Sequence, residues 1–159
     1  MQTLLPLAEA LAVRLKARGD TVAVAESAAG GLVSAALLAQ AGASAYFLGG
    51  AVVYTGAAKR ALVGLSEADI AAHRSSTEGH ALILAQRARE RLGATWAVAE
   101  SGAAGPSGNR YGDAAGHACL AVSGPVERVL TIETGHGDRV ANMRAFAAAA
   151  LALLDECLR

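Results

Sequence analysis

Apolar positions along the chain change their spacing in blocks. Over residues 3–18, Leu4, Leu7, Leu11 and Leu15 recur near helical spacing, Arg14, Lys16 and Arg18 gather towards the end, and Gly19 and Asp20 follow. This predicts an amphipathic helix and its stop. TVAVA at 21–25 is short, apolar and partly β-branched, which predicts a strand, and Ser27 is placed to cap a helix over roughly 29–40. YFLGGAVVY at 46–54 predicts a second strand, whose Gly49 and Gly50 mark a bulge or a close backbone approach. Thr55 and Gly56 then turn the chain into another helix. Ser66, with Asp69 three residues on, opens SEADIAAH as a helix, and residues 76–92 carry a longer helical pattern. TWAVA at 95–99 predicts a strand and GPSGNRYGD at 105–113 a loop. HACLAVS at 117–123 and RVLTIET at 128–134, separated by GPVE, predict a hairpin, and 138–157 closes the chain as a helix rich in Ala and Leu.

Five strands alternating with about five helices imply an α/β fold: a largely parallel sheet between helical layers, with the hairpin adding one antiparallel strand. Ligands on such sheets sit outside the carboxyl ends of the parallel strands. AVAES at 23–27 recurs as AVAES at 97–101, and both copies end at that edge. One reading is two ordinary strands, the first followed by a capping serine. The sharper one sets two Ser/Gly turns side by side, so that Ser27, Ser101 and the backbone at Gly30, Gly31, Gly102, Gly105 and Gly108 cradle an anion, with the helix after Ser27 turning its positive end towards it. Neither copy matches a phosphate-binding GxxxxGK[ST] or a dinucleotide GxGxxG pattern, so those fingerprints are absent.

The 159 residues suit one domain spanning 1–159. Hydrophobic residues reach 53%, yet charges and glycines interrupt every apolar run well before bilayer length, and the first residues lack a signal-peptide pattern. A soluble, cytoplasmic chain with no membrane partner is expected. Fourteen basic and fourteen acidic side chains cancel, which argues against nucleic-acid binding and leaves any anion to be caught locally. Cys119 and Cys157 have no CxxC spacing and read as reduced core thiols. The four histidines form no HxxxH or HExxH arrangement, so no metal and no other cofactor is expected.

Lys59 falls in the first turn of the helix after Thr55 and Gly56, where the macrodipole disfavours a cation. If it is also partly buried, its amine becomes neutral enough to act as a base towards a serine. A solvated surface lysine is the alternative.

AESAAGG (25–31), GASAYFLGGAVVYTGAAK (42–59), ESGAAGPSG (100–108) and GDR (137–139) together resemble the CinA C-terminal domain family, which includes stand-alone nicotinamide mononucleotide deamidases. The resemblance spans nearly the whole chain. It implies a three-layer α/β/α sandwich with a mixed, mostly parallel five-stranded sheet, and a metal-independent amidohydrolase that converts nicotinamide mononucleotide to the acid and ammonia. It implies Ser44 as nucleophile, Lys59 as its base and Tyr54 as a supporting hydroxyl, with Ser27, Gly30, Gly31, Ser101, Gly102, Gly105 and Arg139 binding the ribose and phosphate. A turn such as Gly49–Ala51 is the expected oxyanion holder. A homo-oligomer, with a dimer first, is the expected assembly. The chain departs from the family pattern at Ala29, Gly56 and Ser101, where Thr, Asn and Thr are usual, and in the loop carrying Asn109, Arg110 and Tyr111. Losing polar groups at 29 and 56 bears on the substrate more than on the reaction class. It also keeps open an alternative: a regulatory or binding module of the same fold that holds a nucleotide-like anion without turnover.

Overall fold

A computed structural model describes all residues 1–159. Its strands are β1 (Val22–Glu26), β2 (Phe47–Val52), β3 (Trp96–Gly102), β4 (His117–Ser123) and β5 (Arg128–Glu133). Its helices are α1 (Leu5–Arg18), α2 (Leu32–Leu38), α3 (Gly56–Val63), α4 (Glu67–Ala72), α5 (Glu78–Leu92) and α6 (Arg139–Cys157), with a 3-10 turn at Ala43–Ala45. The sheet runs β2-β1-β3-β4-β5. β1 pairs parallel with both β2 and β3, and β4 pairs antiparallel with β3 and β5, so the sheet is mixed and only β4 runs against the rest. The β1/β2 register slips between Val22 and Ala23, next to the Gly49–Gly50 pair where a bulge was expected.

Alternation along the strands builds two unlike cores. Val22, Val24, Trp96, Val98, Leu120 and Val122 face one side and pack against α1, α2 and α6. Ala23, Ala25, Ala97, Ala99, Cys119 and Ala121 face the other, where the small side chains let α5 lie close to the sheet. α3 and α4 lean on α5 at that same face. The bulky face carries the larger share of the buried apolar area and hence of the hydrophobic driving force.

Most boundaries fall within two residues of the sequence expectation; α2 does not. It begins at Leu32 with Gly31, not Ser27, at its N-cap, and no side-chain hydroxyl closes its first turn. The Glu26 carboxylate does so instead. Its Oε2 accepts from the Gly31 and Val33 N–H groups at 3.0 Å each, and its Oε1 from the Ser34 N–H at 2.9 Å and the Ser34 hydroxyl at 2.7 Å. An anionic side chain at a helix amino terminus satisfies orphan donors and complements the dipole. Hydroxyl caps stand on the next two helices: Thr55 caps α3, and Ser66 with Asp69 forms the expected capping box on α4.

Candidate active-site cleft

Past the carboxyl ends of β1 and β3, a polar cleft of about 520 Å³ opens on the alanine-lined face. Ser27, Tyr54, Lys59, Ser75, Ser101 and Arg110 are among its walls. A second lobe of about 280 Å³ continues from it past Tyr54 and Gly102 to Gly105 and Arg139. The repeated AVAES segments explain the position. Glu26 and Glu100 are register partners on adjacent parallel strands, so the following residues, Ser27 and Ser101, emerge side by side on the opposite face.

Lys59 is the floor of this cleft. Only 5% of its surface is exposed, and no carboxylate lies within ion-pair distance of it. Its Nζ donates to Ser75 Oγ at 2.8 Å and sits 2.8 Å from His80 Nε2. Burial holds the amine below the ordinary lysine range; Glu100 pulls it back up and Arg110 pushes it down. His80 is itself buried, and burial followed by the Lys59 charge lowers its pKa to about 4. Its Nδ1 lies 3.1 Å from the His73 carbonyl, an acceptor only, so Nδ1 carries the hydrogen and Nε2 offers a lone pair to the amine. Lys59 therefore rests between two neutral acceptors.

The His80 shift has a consequence for stability. Unfolded, the ring takes up a proton near pH 6.5, whereas folded it does so only near pH 4. The unfolded state binds more protons in between, so this contribution is present above pH 6.5 and is lost as pH falls towards 4. Thermal melts should show the wild type losing stability relative to His80→Gln between pH 7 and pH 4.5. Parallel curves would contradict a neutral His80.

The loop wall is pinned from across the cleft. Arg74 makes a two-pronged ion pair with Asp113 at 2.7 and 3.0 Å, and Asn109 closes the 109–113 turn by donating to the same carboxylate at 2.8 Å. Ser76 is the only non-glycine residue with positive φ, at 61°. Its N–H donates to Ser101 Oγ at 3.1 Å, and its carbonyl lies 3.0 Å from His117 Nε2, so this uncommon conformation is held at both ends. The N–H groups of Gly56 and Ala57, in the first turn of α3, have no protein partner, and Gly56 lines the cleft.

Of the residues expected at the site, Lys59, Tyr54, Ser27, Ser101, Gly102, Gly105 and Arg139 all border the two lobes. Tyr54 does not orient Lys59; its hydroxyl accepts from Arg139 at 3.2 Å, while Arg139 also donates to the Gly105 carbonyl at 2.6 Å. Ser44 is not brought to Lys59. It lies exposed in the 3-10 turn before β2, and the six residues of β2, roughly 20 Å of strand rise, separate it from the end where Lys59 acts. Gly49–Ala51 lie inside β2 and line an apolar groove with Leu62 and Leu92, away from the cleft. Gly30 and Gly31 adopt positive φ to form the β1–α2 turn and do not border either lobe. That turn is no open anion cradle, because the two glutamates fill its N–H groups. Ser75 and His80 are the residues missed by sequence reasoning. Their one signal is the hydroxyl run SST ahead of α5, which looks like helix capping, and Thr77 does cap that helix.

Fold and site together define a three-layer α/β/α protein with a serine-rich, lysine-floored cleft at its strand ends. Comparison with known proteins gives the family. The CinA C-terminal domain profile matches residues 4–158, and the chain belongs to that family. A CinA-like protein of Anaeromyxobacter dehalogenans (strain 2CP-C) is 42% identical over 144 residues, covering 89% of this chain and 35% of the relative. One from Prochlorococcus marinus (strain MIT 9313) is 45% identical over 111 residues, 70% of this chain and 26% of the relative. The chain thus spans about a quarter to a third of the length of these curated relatives. Among solved structures, a competence-damaged protein (CinA) superfamily protein from Klebsiella pneumoniae superposes with a TM-score of 0.91 at 31% identity, covering 98% of this chain and 97% of that one. The competence/damage inducible protein CihA from Agrobacterium tumefaciens gives 0.87 at 32%, covering 98% and 94%.

Proposed function

We propose that the cleft is the active site of a metal-independent amidohydrolase that deamidates a pyridine mononucleotide, with nicotinamide mononucleotide as the substrate to test. The observation that carries this reading is the Lys59 amine: buried, without a carboxylate partner, and 2.8 Å from a serine hydroxyl. Desolvation favours its free base, and a free amine beside a hydroxyl can take that proton. The pairing found in the fold is with Ser75, so the dyad is redrawn as Ser75–Lys59 in place of Ser44–Lys59.

In the forward step, Ser75 Oγ attacks the carboxamide carbon as its proton passes to Lys59 Nζ. The unpartnered N–H of Gly56, which borders the cleft, is the donor we assign to the negative oxygen. The ammonium of Lys59 then returns the proton to the departing nitrogen, ammonia leaves, and an acyl-serine remains. Water attacks the acyl carbon, gives its proton to Lys59 and releases the acid, and Lys59 reprotonates Ser75. Arg139, Gly102 and Gly105 take the phosphate in the second lobe, where the planar guanidinium suits it, and Ser101 meets the ribose from the main cleft. Ser27, whose hydroxyl has no protein partner, contacts the substrate between the lobes.

A module that binds the same ligand without turnover is the second reading. It is favoured by Gly56, which gives the cleft wall no side chain. Incubating purified protein with nicotinamide mononucleotide and measuring ammonia separates the two. Release supports the hydrolase, whereas calorimetric binding without release supports the module.

A further inference from the structure

The twin glutamates serve one turn. Glu26 and Glu100 are both fully buried and face each other across β1 and β3. Glu26 takes the later donors of the β1–α2 turn, those of Gly31, Val33 and Ser34. Glu100 reaches over from the neighbouring strand to the earlier ones: its Oε2 accepts from the Ser27 N–H at 3.1 Å and the Ala29 N–H at 2.8 Å. Five backbone donors are thus divided between two carboxylates on different strands. Glu100 Oε1 is buried with no protein partner. Leaving a carboxyl oxygen orphaned in the core is costly, so the retained Oε2 contacts must be what the residue supplies there.

We infer that Glu100 is a positioning residue for the cleft: from β3 it fixes the backbone at Ser27 and Ala29, and so sets where the Ser27 hydroxyl meets the ligand. Glu100 touches no ligand itself, being wholly enclosed. β4 opposes it with Leu120. The charged groups acting on it are Glu26 of β1 and Lys59 of α3. Its contribution to the reaction rests on the deamidase reading; its hold on the turn does not.

Amide hydrogen exchange on the free protein tests the hold directly, with two variants. Glu100→Leu removes the acceptor at similar volume, and Glu100→Gln keeps an acceptor oxygen. In Glu100→Leu, protection at Ser27 and Ala29 should fall at least about tenfold relative to Gly31, Val33 and Ser34, which Glu26 still holds; in Glu100→Gln most of it should remain. Equal loss at all five amides, or none at Ser27 and Ala29, would overturn the inference. With nicotinamide mononucleotide as probe, Glu100→Leu should lose at least tenfold in kcat/KM and Glu100→Gln should recover most of it. A wild type that releases no ammonia would defeat the deamidase reading while the exchange pattern still decides the clamp.

Discussion

Lys59→Met is expected to abolish ammonia release, lowering kcat/KM by roughly a thousandfold or more, the scale on which removing a general base acts. Loss of charge is not the cause. Lys59→Arg keeps a cation but cannot give a free base at any accessible pH, so it should be as inactive as Lys59→Met. If Lys59 served only to attract an anion, the arginine variant would retain much of the activity. Lys59→Met should fold, because the lysine has no ion pair to lose and Met matches its stem, and a thermal melt of Lys59→Arg separates lost base from lost fold. The sign of the pH dependence follows from the same placement. Burial lowers the amine's pKa, so the active free base is present above that lowered value, and kcat/KM should rise with pH through it and then level off.

The second large effect separates three serines. Ser75→Ala should cost at least about a thousandfold in kcat, since it removes the hydroxyl in contact with the amine. Ser27→Ala should act mainly on KM, about tenfold, through one lost contact in the cleft. Ser44→Ala should change neither by more than about twofold, because its exposed turn lies at the far end of β2. Were Ser27→Ala to abolish turnover while Ser75→Ala retained it, the nucleophile would be Ser27 and Ser75 a rest for the amine.

The contrast between Ser44 and Ser75 marks how far the sequence could be read. Strands came through because apolar runs such as VAVA and WAVA are short and buried on both faces, and the hairpin because GPVE separates HACLAVS from the β-branched RVLTIET. Lys59 was legible because its place after Thr55 and Gly56 is a local fact. The partner of Lys59 was not. Ser75 and His80 reach it only because α5 packs against the alanine face and brings its preceding loop over α3, a contact between residues 16 and 21 positions apart. Ser44 is one position closer to Lys59 in sequence than Ser75, but a strand intervenes and carries it to the opposite end of the sheet. The start of α2 is hidden for a related reason: Ser27 looks like a cap, whereas the Glu26 carboxylate caps the helix and Glu100, from another strand, holds the turn before it.

The measurement that bears most directly on the central claim is the titration of the Lys59 amine in the free wild-type protein, followed by NMR at its Cε and Nζ and assigned with Lys59→Met. A midpoint clearly below the ordinary lysine value of 10.5 is expected, because burial outweighs the opposing field of Glu100. A midpoint at or above 10.5 would leave a permanently charged ammonium on the cleft floor and contradict its role as the base.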